Sequence, residues 1–295
     1  MRAADLRHVE YMVAVADEGG FGRAARALGV AQPSVSQAIG QLESQLGVRL
    51  FDRVGRQVRL TAAGTAMLPP ARRMLQEALA VREAVDSVRG LDAGHLDLVA
   101  LPTLASDPLA GLIGAFRRAH PGVLVRVVEP DTADELLSMV ASGVAELGLT
   151  EVPIAHEELV ADAFFVQELV VVAPAGVDLG SEGVTAHALA GWPLIAPPPG
   201  TSTRRLVDAA LAASGKRATV AVETGHRDSI IPLVLAGAGV AVLPEPTARR
   251  AAEDGAVVAR LRPPLVRTVG IVHRRGGLSP AADAFARLAT DAAVP

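Results

Sequence analysis

The sequence contains no cysteine among its 295 residues. Without cysteine there is no disulfide framework, no thiolate metal ligand and no cysteine nucleophile, which excludes several classes of enzyme and of small secreted protein. Lysine is almost absent as well, because Lys216 is the only lysine among 28 basic residues. The basic chemistry of this chain is therefore the chemistry of arginine.

The sequence also lacks an apolar run long enough to span a bilayer. The two best candidates, Leu109 to Phe116 and Ile230 to Leu243, are too short or too interrupted. No basic N-terminal segment is followed by an apolar stretch of the kind that directs secretion. We therefore expect a cytoplasmic protein without membrane contact.

Charge is distributed unevenly along a chain whose formal net charge is −4. Residues 1–90 carry 12 arginines and 9 acidic residues, whereas the remainder carries 16 basic and 23 acidic residues. Half of all residues are apolar, which at this length predicts roughly two domains, each with its own core. A basic N-terminal domain suits nucleic-acid binding, although an imbalance of this size also arises by chance.

Helical periodicity predicts three helices joined by tight turns at the start of the chain. Apolar residues from Leu6 to Ala16 recur at helical spacing, and this pattern stops at Gly19-Gly20. A short second helix over about Phe21 to Leu28 ends at Gly29, and Gln32-Pro33 then opens a third helix. A short helix, a tight turn and a further helix form the unit that places a recognition helix in the DNA major groove.

The third helix has an apolar stripe and an opposite polar face. Such polar rows are most often plain solvent-facing surface. After a helix-turn-helix, however, serine and glutamine are positioned to pair with base edges. The stripe comprises Val35, Ile39, Leu42 and Leu46, and the polar face comprises Ser34, Gln37 and Gln41.

A two-stranded wing is predicted after the third helix. Val48 to Arg53 is followed by a turn at Gly55 and by Gln57 to Leu60, in which polar and apolar residues alternate. Arginines in or beside the two strands suit phosphate contact or a narrow minor groove. These arginines are Arg49, Arg53, Arg56 and Arg59.

The joint spacing of these residues over positions 3–64 resembles the DNA-binding module of LysR-type transcriptional regulators. The matching segments include Ala24-Ala25, Gln32-Pro33-Ser34-Val35-Ser36, Leu46-Gly47, Leu50-Phe51 and Leu60-Thr61-Ala62-Ala63-Gly64. The resemblance implies double-stranded operator DNA as a partner and RNA polymerase as a further one. Together, the polar face, the wing and the resemblance give as DNA-binding candidates Gln32, Pro33, Ser34, Ser36, Gln37, Gln41, Arg49, Arg53 and Arg56.

The sequence departs from that family at two positions. Gly20 stands where the family usually has serine, so the second helix loses a side-chain N-cap. Gln37 stands where the family often has a basic residue, so a charged DNA contact is not expected there.

A long amphipathic helix is predicted between the wing and the rest of the chain. Thr61 can cap it, and apolar positions then follow a seven-residue repeat that Pro69-Pro70 interrupt in the first turns. The repeat comprises Leu68, Ala71, Leu75, Ala78, Arg82 and Val85. In the family this helix pairs with its twin, which implies a homodimer or homotetramer. The alternative is a helix packed on its own chain. Residues 90–94 are predicted to be a flexible hinge.

The remaining residues predict two successive α/β units. In the first, strands near residues 96–101, 123–129 and 146–150 alternate with helices near 109–120 and 133–142 and predict a largely parallel sheet. A second unit repeats the theme, with strands over 169–173, 194–196, 220–223 and 239–243 and helices over about 202–213 and 229–236. A strand over 266–273 and a helix over 280–292 follow. Two such lobes resemble the effector domain of LysR-type regulators, which is itself similar to type 2 periplasmic binding proteins.

The predicted organisation is therefore a mainly α winged helix-turn-helix over residues 1–60 and a linker helix over 61–90, followed by a two-lobed effector domain. Lobe 1 consists of residues 91–162 and 266–295, and lobe 2 of residues 163–265. A small-molecule effector would bind in the cleft between the lobes and control operator binding or activation.

Candidate effector contacts follow from strand ends and helix starts. Thr103, Thr132 and Thr150 follow strands of lobe 1, at the edge where ligands bind open α/β sheets. Thr201-Ser202-Thr203 opens a helix whose free N–H groups favour an anion, although Thr201 or Ser202 can instead simply cap that helix. His226, with Arg227 and Asp228, lies in a loop that can face the cleft. We expect a small anionic, carboxylate-bearing effector bound by Thr103, Thr132, Thr150, Thr201, Ser202 and His226.

Two alternatives explain less of the sequence. An α/β enzyme lacks its machinery: Gly237-Ala238-Gly239 precedes a strand and has no third glycine of a dinucleotide fingerprint, and His156-Glu157-Glu158 lacks a second zinc-binding histidine. We therefore expect no catalytic residues, no metal and no cofactor. A secreted solute-binding protein would account for the two lobes but not for the N-terminal DNA-binding pattern.

Overall fold

The computed structural model describes residues 5–54, 57–87 and 94–292. The predicted hinge over residues 90–94 lies outside these ranges except for Gly94, and so does Arg56. Within them, no helix is both long enough and apolar enough to cross a bilayer.

The N-terminal domain consists of three helices and a hairpin. Its elements are α1 (Leu6–Glu18), α2 (Phe21–Ala27), α3 (Gln32–Leu46), β1 (Phe51–Val54) and β2 (Gln57–Leu60). The Asp5 carboxylate caps α1 by accepting from the N–H of Arg7 at 3.0 Å. As expected from Gly20, α2 begins without a side-chain cap. β1 and β2 pair antiparallel and form the predicted wing.

The apolar stripe of α3 builds the centre of this domain. Val35, Ile39 and Leu42 are buried against α1 and α2. Leu46, predicted in the same stripe, is 45% exposed because it lies in the last turn, where α3 leaves the core and ends at Gly47.

The linker is one continuous helix, α4 (Ala62–Ser87). The Thr61 hydroxyl caps it by accepting from the N–H of Gly64 at 3.0 Å. Pro69 and Pro70 lie inside α4 and do not interrupt it, contrary to the prediction. Each proline removes one N–H donor, and the packing of Leu68 and Ala71 against the N-terminal core holds this part of the helix in place.

The predicted apolar repeat of α4 does not form a free seam over its first half. Leu68, Ala71 and Leu75 all pack against the core of the N-terminal domain. Among the described side chains of α4, the large apolar ones that are exposed are Met74, Leu79 and Val81, of which Val81 is 68% exposed. The side chains of Arg82 and Val85 lie outside the described part of the chain.

Lobe 1 begins with a parallel sheet, as predicted. Its elements are β3 (Gly94–Ala100), α5 (Pro102–Leu104), α6 (Ala110–Ala119), β4 (Val123–Val128), α7 (Ala133–Ala141) and β5 (Leu147–Glu151). β3 pairs in parallel with both β4 and β5.

The long strand β6 (Leu159–Ala173) leads from lobe 1 into lobe 2. Lobe 2 contains β7 (Val184–Thr185), α8 (Ala186–Leu189), β8 (Leu194–Ala196), α9 (Ser202–Ala213), β9 (Val220–Glu223), α10 (Ile230–Leu235), β10 (Ala241–Pro244) and α11 (Glu245–Glu253). A turn of 3-10 helix over Arg227–Ser229 precedes α10. The chain then returns through β11 (Val257–Arg274) to the last helix, α12 (Pro280–Ala292), which packs in lobe 1.

β6 and β11 run antiparallel to one another and pass through both lobes. The main sheet has the strand order β10-β6-β11-β5-β3-β4, so its crossing strands are antiparallel and the sheet is mixed. The sequence predicted only part of each crossing strand, because polar residues and the Pro263-Pro264 pair break the apolar pattern near the crossing. This arrangement places the middle of β6 and β11 between the two lobes.

Candidate effector cleft and nucleic-acid interface

The outer face of α3 is the candidate nucleic-acid interface. Ala31 precedes the helix without a side-chain cap, Pro33 has no backbone N–H, and the N–H of Ser34 donates to the carbonyl of Ala31 at 3.0 Å. Contacts from this helix therefore depend mainly on its side chains. Opposite the buried stripe, the predicted DNA-contacting side chains are solvent-exposed, except for Ser36, which is half-buried. The exposed ones are Gln32, Pro33, Ser34, Gln37 and Gln41.

The wing is attached to α3 through Glu43. Its Oε1 atom accepts from the backbone N–H of Leu50 at 2.7 Å and of Phe51 at 3.2 Å. Arg49 is exposed immediately before β1. Arg53 lies in β1 opposite Val58, but its side chain is outside the described residues.

A cavity of about 220 Å³ lies between the two lobes. Thr103 reaches it from lobe 1, and Thr201 and Ser202 reach it from the start of α9 in lobe 2. The cavity also has charged walls and an apolar floor. Asp131, Arg227 and Asp228 provide the charges, and the floor includes Leu101, Ile230, Ile231, Val242 and Leu243.

Arg267 of β11 lies behind the cavity wall and is only 3% exposed. Its guanidinium donates to the Thr103 hydroxyl at 2.7 Å, to the Ser202 hydroxyl at 2.7 Å and, through Nε, to Oε1 of Gln167 at 2.9 Å. Burial lowers the pKa of Arg267 to about 10, an effect that Glu151 opposes and Arg227 reinforces. Arg267 therefore remains a cation at neutral pH, in a site where its charge is costly.

Glu151, at the end of β5, is the acidic partner of this arginine. Its Oε1 atom accepts from the Ser202 hydroxyl at 2.7 Å and lies 3.9 Å from Nη1 of Arg267. Arg205 of α9 donates to the other carboxylate oxygen. These bonds connect the end of a lobe 1 strand to the first turns of a lobe 2 helix.

The hydroxyl groups at the cleft have different capacities for a ligand. Ser202 accepts from Arg267 and donates to Glu151, so its hydroxyl proton is already used. Thr103 accepts from Arg267, which leaves its own proton free to donate. Thr201 donates to the carbonyl of Pro198 at 2.9 Å and does not cap α9, so the N–H groups at the start of α9 have no side-chain cap.

Thr203 adds a further polar group to the same helix start. It lines the cavity and is 6% exposed. Its side chain makes no hydrogen bond within the described part of the chain. A hydroxyl without a partner, on a largely buried residue in a cavity wall, is positioned to bind a ligand.

Arg227, in the 3-10 turn before α10, is a cation that lines the cavity. Within the described residues, no carboxylate lies within 4 Å of its guanidinium. Burial lowers its pKa, and the nearby carboxylates of Asp131 and Glu129 partly oppose this shift. Arg227 is thus half-buried and charged, without a direct ionic partner.

Both parts of the chain match known sequence profiles. Residues 6–65 match the bacterial regulatory helix-turn-helix protein of the lysR family, and residues 89–294 match the LysR substrate binding domain. The chain belongs to the LysR family of bacterial transcriptional regulators. The family and the effector-controlled regulatory function predicted from the sequence are confirmed, and the enzyme alternative is wrong because LysR proteins are regulators.

Relatives and a solved structure match over almost the whole length of the chain. The chain is 32% identical to the HTH-type transcriptional regulator IlvR of Caulobacter vibrioides, over 97% of this chain and 98% of that protein. It is 30% identical to the RuBisCO operon transcriptional regulator of Allochromatium vinosum, over 95% and 93% of the two chains. A full-length variant of OxyR from Pseudomonas aeruginosa superposes with a TM-score of 0.78 at 25% identity, covering 99% of this chain and 95% of that one.

A second solved structure shares the fold alone. CbnR in complex with its target DNA has a TM-score of 0.67 at 23% identity and covers 98% of this chain and 100% of CbnR. The predicted fold class, a winged helix-turn-helix followed by a two-lobed effector domain, is confirmed. The exact boundaries of the predicted domains stay a prediction.

The structure brings together only part of the predicted LysR effector site. Thr103, Thr201 and Ser202 line one cavity, whereas Thr132 caps α7 and faces a neighbouring cavity. Thr150 is fully buried, its hydroxyl has no partner among the described residues, and it does not line the cavity. His226 is exposed and also does not line it.

Sequence reasoning missed the side chains that organise the cleft. Arg267, Glu151 and Gln167 come from three different strands, and Asp131 precedes α7. One signal was present, because Arg267 interrupts an apolar strand pattern, and a charge in such a strand is buried only with partners.

Proposed function

We propose that this LysR-type regulator is a cytoplasmic homo-oligomer whose operator binding is controlled by a small anionic metabolite bound between its lobes. The observation that carries this proposal is the unpaired Arg227 beside the uncapped start of α9 in one cavity. A half-buried cation and free N–H groups together favour a negatively charged ligand group. The cavity volume of about 220 Å³ is below the roughly 300–1,000 Å³ typical of drug-sized ligands, which favours a small metabolite.

Effector binding would act through the contacts between the lobes. Thr103 of lobe 1 and Ser202 of lobe 2 are held by the same buried guanidinium, so a ligand that touches either lobe acts on the same set of hydrogen bonds. A ligand that binds more tightly when the lobes are close shifts the protein towards that state. The factor by which effector affinity differs between the two states then sets the upper limit for the factor by which DNA affinity changes.

The ligand class is tested by calorimetry and thermal shift with a panel of carboxylates, amines and neutral metabolites. We expect carboxylates to bind and Arg227→Met, Thr103→Val and Thr203→Val to weaken them. Arg249→Met is the matched control, since Arg249 is an exposed arginine of lobe 2 paired with Glu245. Binding confined to compounds without a carboxylate or other anionic group would contradict the proposal, as would unchanged affinity in all three cleft variants.

DNA recognition is tested by comparing the operator with a random duplex. Replacing Gln32, Ser34 or Gln37 by alanine is expected to cost about 1–3 kcal/mol of discrimination where a bidentate base contact is lost. Gln45→Ala, in an exposed position nearer the end of the same helix, is the control.

The wing arginines are expected to behave differently. Arg49→Ala, Arg53→Ala and Arg56→Ala should weaken binding to all sequences and reduce the salt slope by about one each. Full discrimination in the three α3 variants would mean that α3 does not read the operator.

A further inference from the structure

We infer that the ligand of the cleft is zwitterionic, an α-amino acid with a small aliphatic side chain or a compound with the same pairing of carboxylate and ammonium groups. This inference rests on the proposed function, because it names the ligand class of the same cavity. It requires that the cavity bind a positive group as well as a negative one.

The charges in the cavity walls do not suit a simple anion. The charged side chains that line the cavity are one arginine, Arg227, and two carboxylates, Asp131 and Asp228. Neither carboxylate has a hydrogen bond or ion pair within the described residues, so both are available to a ligand. A ligand with only negative charge would be repelled by two of the three charged side chains, whereas an added ammonium group would be attracted by them.

The groups that would bind a carboxylate and those that would bind an ammonium group are placed so that a single ligand can contact both. The carboxylate-binding groups, Arg227, Thr203 and the uncapped start of α9, all belong to lobe 2. Asp131 belongs to lobe 1, between β4 and α7, and reaches the same cavity from the opposite side. A zwitterion would therefore connect the two lobes through its two charged ends.

The rest of the cavity determines the side chain of the ligand. Its floor consists of leucine, isoleucine and valine side chains from both lobes, including Leu101, Ile230 and Val242. Apolar surface of this kind stabilises an aliphatic group by removing it from water. Because the charged groups of the ligand share a cavity of about 220 Å³, the remaining space favours a small aliphatic side chain.

The test uses matched sets of three compounds and calorimetry on the full-length protein. Each aliphatic α-amino acid from alanine to isoleucine is compared with its deaminated carboxylate and its decarboxylated amine, as leucine with 4-methylpentanoate and 3-methylbutylamine. We expect at least one amino acid to bind at least tenfold more tightly than both of its matched compounds. A carboxylate that binds as tightly as its amino acid overturns the zwitterion but leaves the proposed anion site standing. No binding by any amino acid overturns the zwitterion, and the wider carboxylate panel then decides the proposed function separately.

Variants assign the ammonium site. Asp131→Asn and Asp228→Asn should weaken the amino acid at least tenfold while leaving the affinity for its carboxylate analogue equal or higher. Asp134→Asn is the control, because Asp134 is an exposed carboxylate of the adjacent helix start that does not line this cavity. Unchanged amino-acid affinity in both cleft variants, with their melting temperatures preserved, overturns the inference.

Discussion

Gln76 of the linker helix and Arg274 at the end of β11 are joined by a hydrogen bond in which Arg274 donates to Oε1 of Gln76. The amide nitrogen of Gln76 donates in turn to the carbonyl of Gly143 at 2.8 Å. One turn earlier on α4, Arg72 forms an ion pair with Asp17 of α1. The linker helix thus contacts the DNA-binding domain and lobe 1 within one helical turn. These contacts hold the DNA-binding domain and lobe 1 in a fixed relative orientation.

Gly143→Ala should weaken the contact that Gln76 of the linker helix makes with lobe 1. Gly143 has a φ of +77°, and an added Cβ would lie 3.1 Å from Oε1 of Gln76 and 3.5 Å from Cβ of Arg72. Gly215→Ala is the matched control, because Gly215 has a φ of +69° and open space around the new Cβ. Both variants should lose about 1–2 kcal/mol of stability to the backbone conformation. Only Gly143→Ala should also increase amide exchange in the middle of α4, and equal exchange in the two variants would contradict the contact.

Gly64→Ala should destabilise the N-terminal domain by about 1–3 kcal/mol, because overpacking against backbone cannot relax cheaply. The added Cβ would lie 2.2 Å from the carbonyl oxygen of Leu50, so α4 or the wing would have to move. Gly40→Ala adds a Cβ in open space on α3 and should instead be neutral or stabilising by about 0.5–1 kcal/mol. Urea denaturation followed by circular dichroism measures both. A Gly64→Ala protein as stable as the parent would show that the approach of α4 to Leu50 is not tight.

The exposed apolar side of α4 predicts where two copies of the chain pair. Met74 and Val81 are exposed, Val81 by 68%, and the half-buried Ala78 lies between them at spacings of four and three residues, as in a two-helix seam. Val81→Glu should therefore produce monomers with unchanged helix content in sedimentation velocity. Leu75→Glu should instead unfold the N-terminal domain, because Leu75 packs on its core. A dimer that survives Val81→Glu would place the main interface in the effector domain.

Glu151→Gln should lower the free energy of unfolding by about 3 kcal/mol, because it removes the carboxylate that lies beside the buried guanidinium of Arg267. Glu182→Gln is the control, because the ion pair of Glu182 with Arg262 is exposed and worth at most about 1 kcal/mol. Thermal unfolding of the two variants at neutral pH gives the comparison. Equal melting temperatures would mean that the remaining hydrogen bonds of Arg267 compensate fully for the lost charge.

The N-terminal domain could be predicted closely from the sequence because its signals are local. Gly19, Gly29 and Gly47 all adopt positive φ where helices or turns end, and the buried stripe of α3 follows a simple helical period. Helix α9 and strands β8 and β9 also begin and end where predicted. The direction in which α4 packs could not be predicted, because its apolar positions fit two neighbouring stripes and only the surface of the domain beneath it selects one.

The cleft was predictable only in outline. Strand ends and a helix start indicated Thr103, Thr201 and Ser202, which do meet. However, the sequence gives no sign that Thr103 and Ser202 bind a guanidinium 164 and 65 residues away in the chain. Such pairings depend on how β6 and β11 cross between the lobes. The crossing could not be predicted, because polar residues interrupt the apolar pattern in the middle of both strands.

Arg267 and Arg274 lie on the same strand, seven residues apart. Arg267 lies at the cleft, and Arg274 contacts Gln76 of the linker helix. At about 3.3 Å per residue they are separated by roughly 23 Å, and an odd spacing directs their side chains to opposite faces of the sheet. Deleting a single residue between them would turn one of the two arginines to the wrong face and shift it along the strand. The length of this segment is therefore fixed by strand geometry, so insertions and deletions should be tolerated in the exposed turn over 180–182 but not between these two arginines.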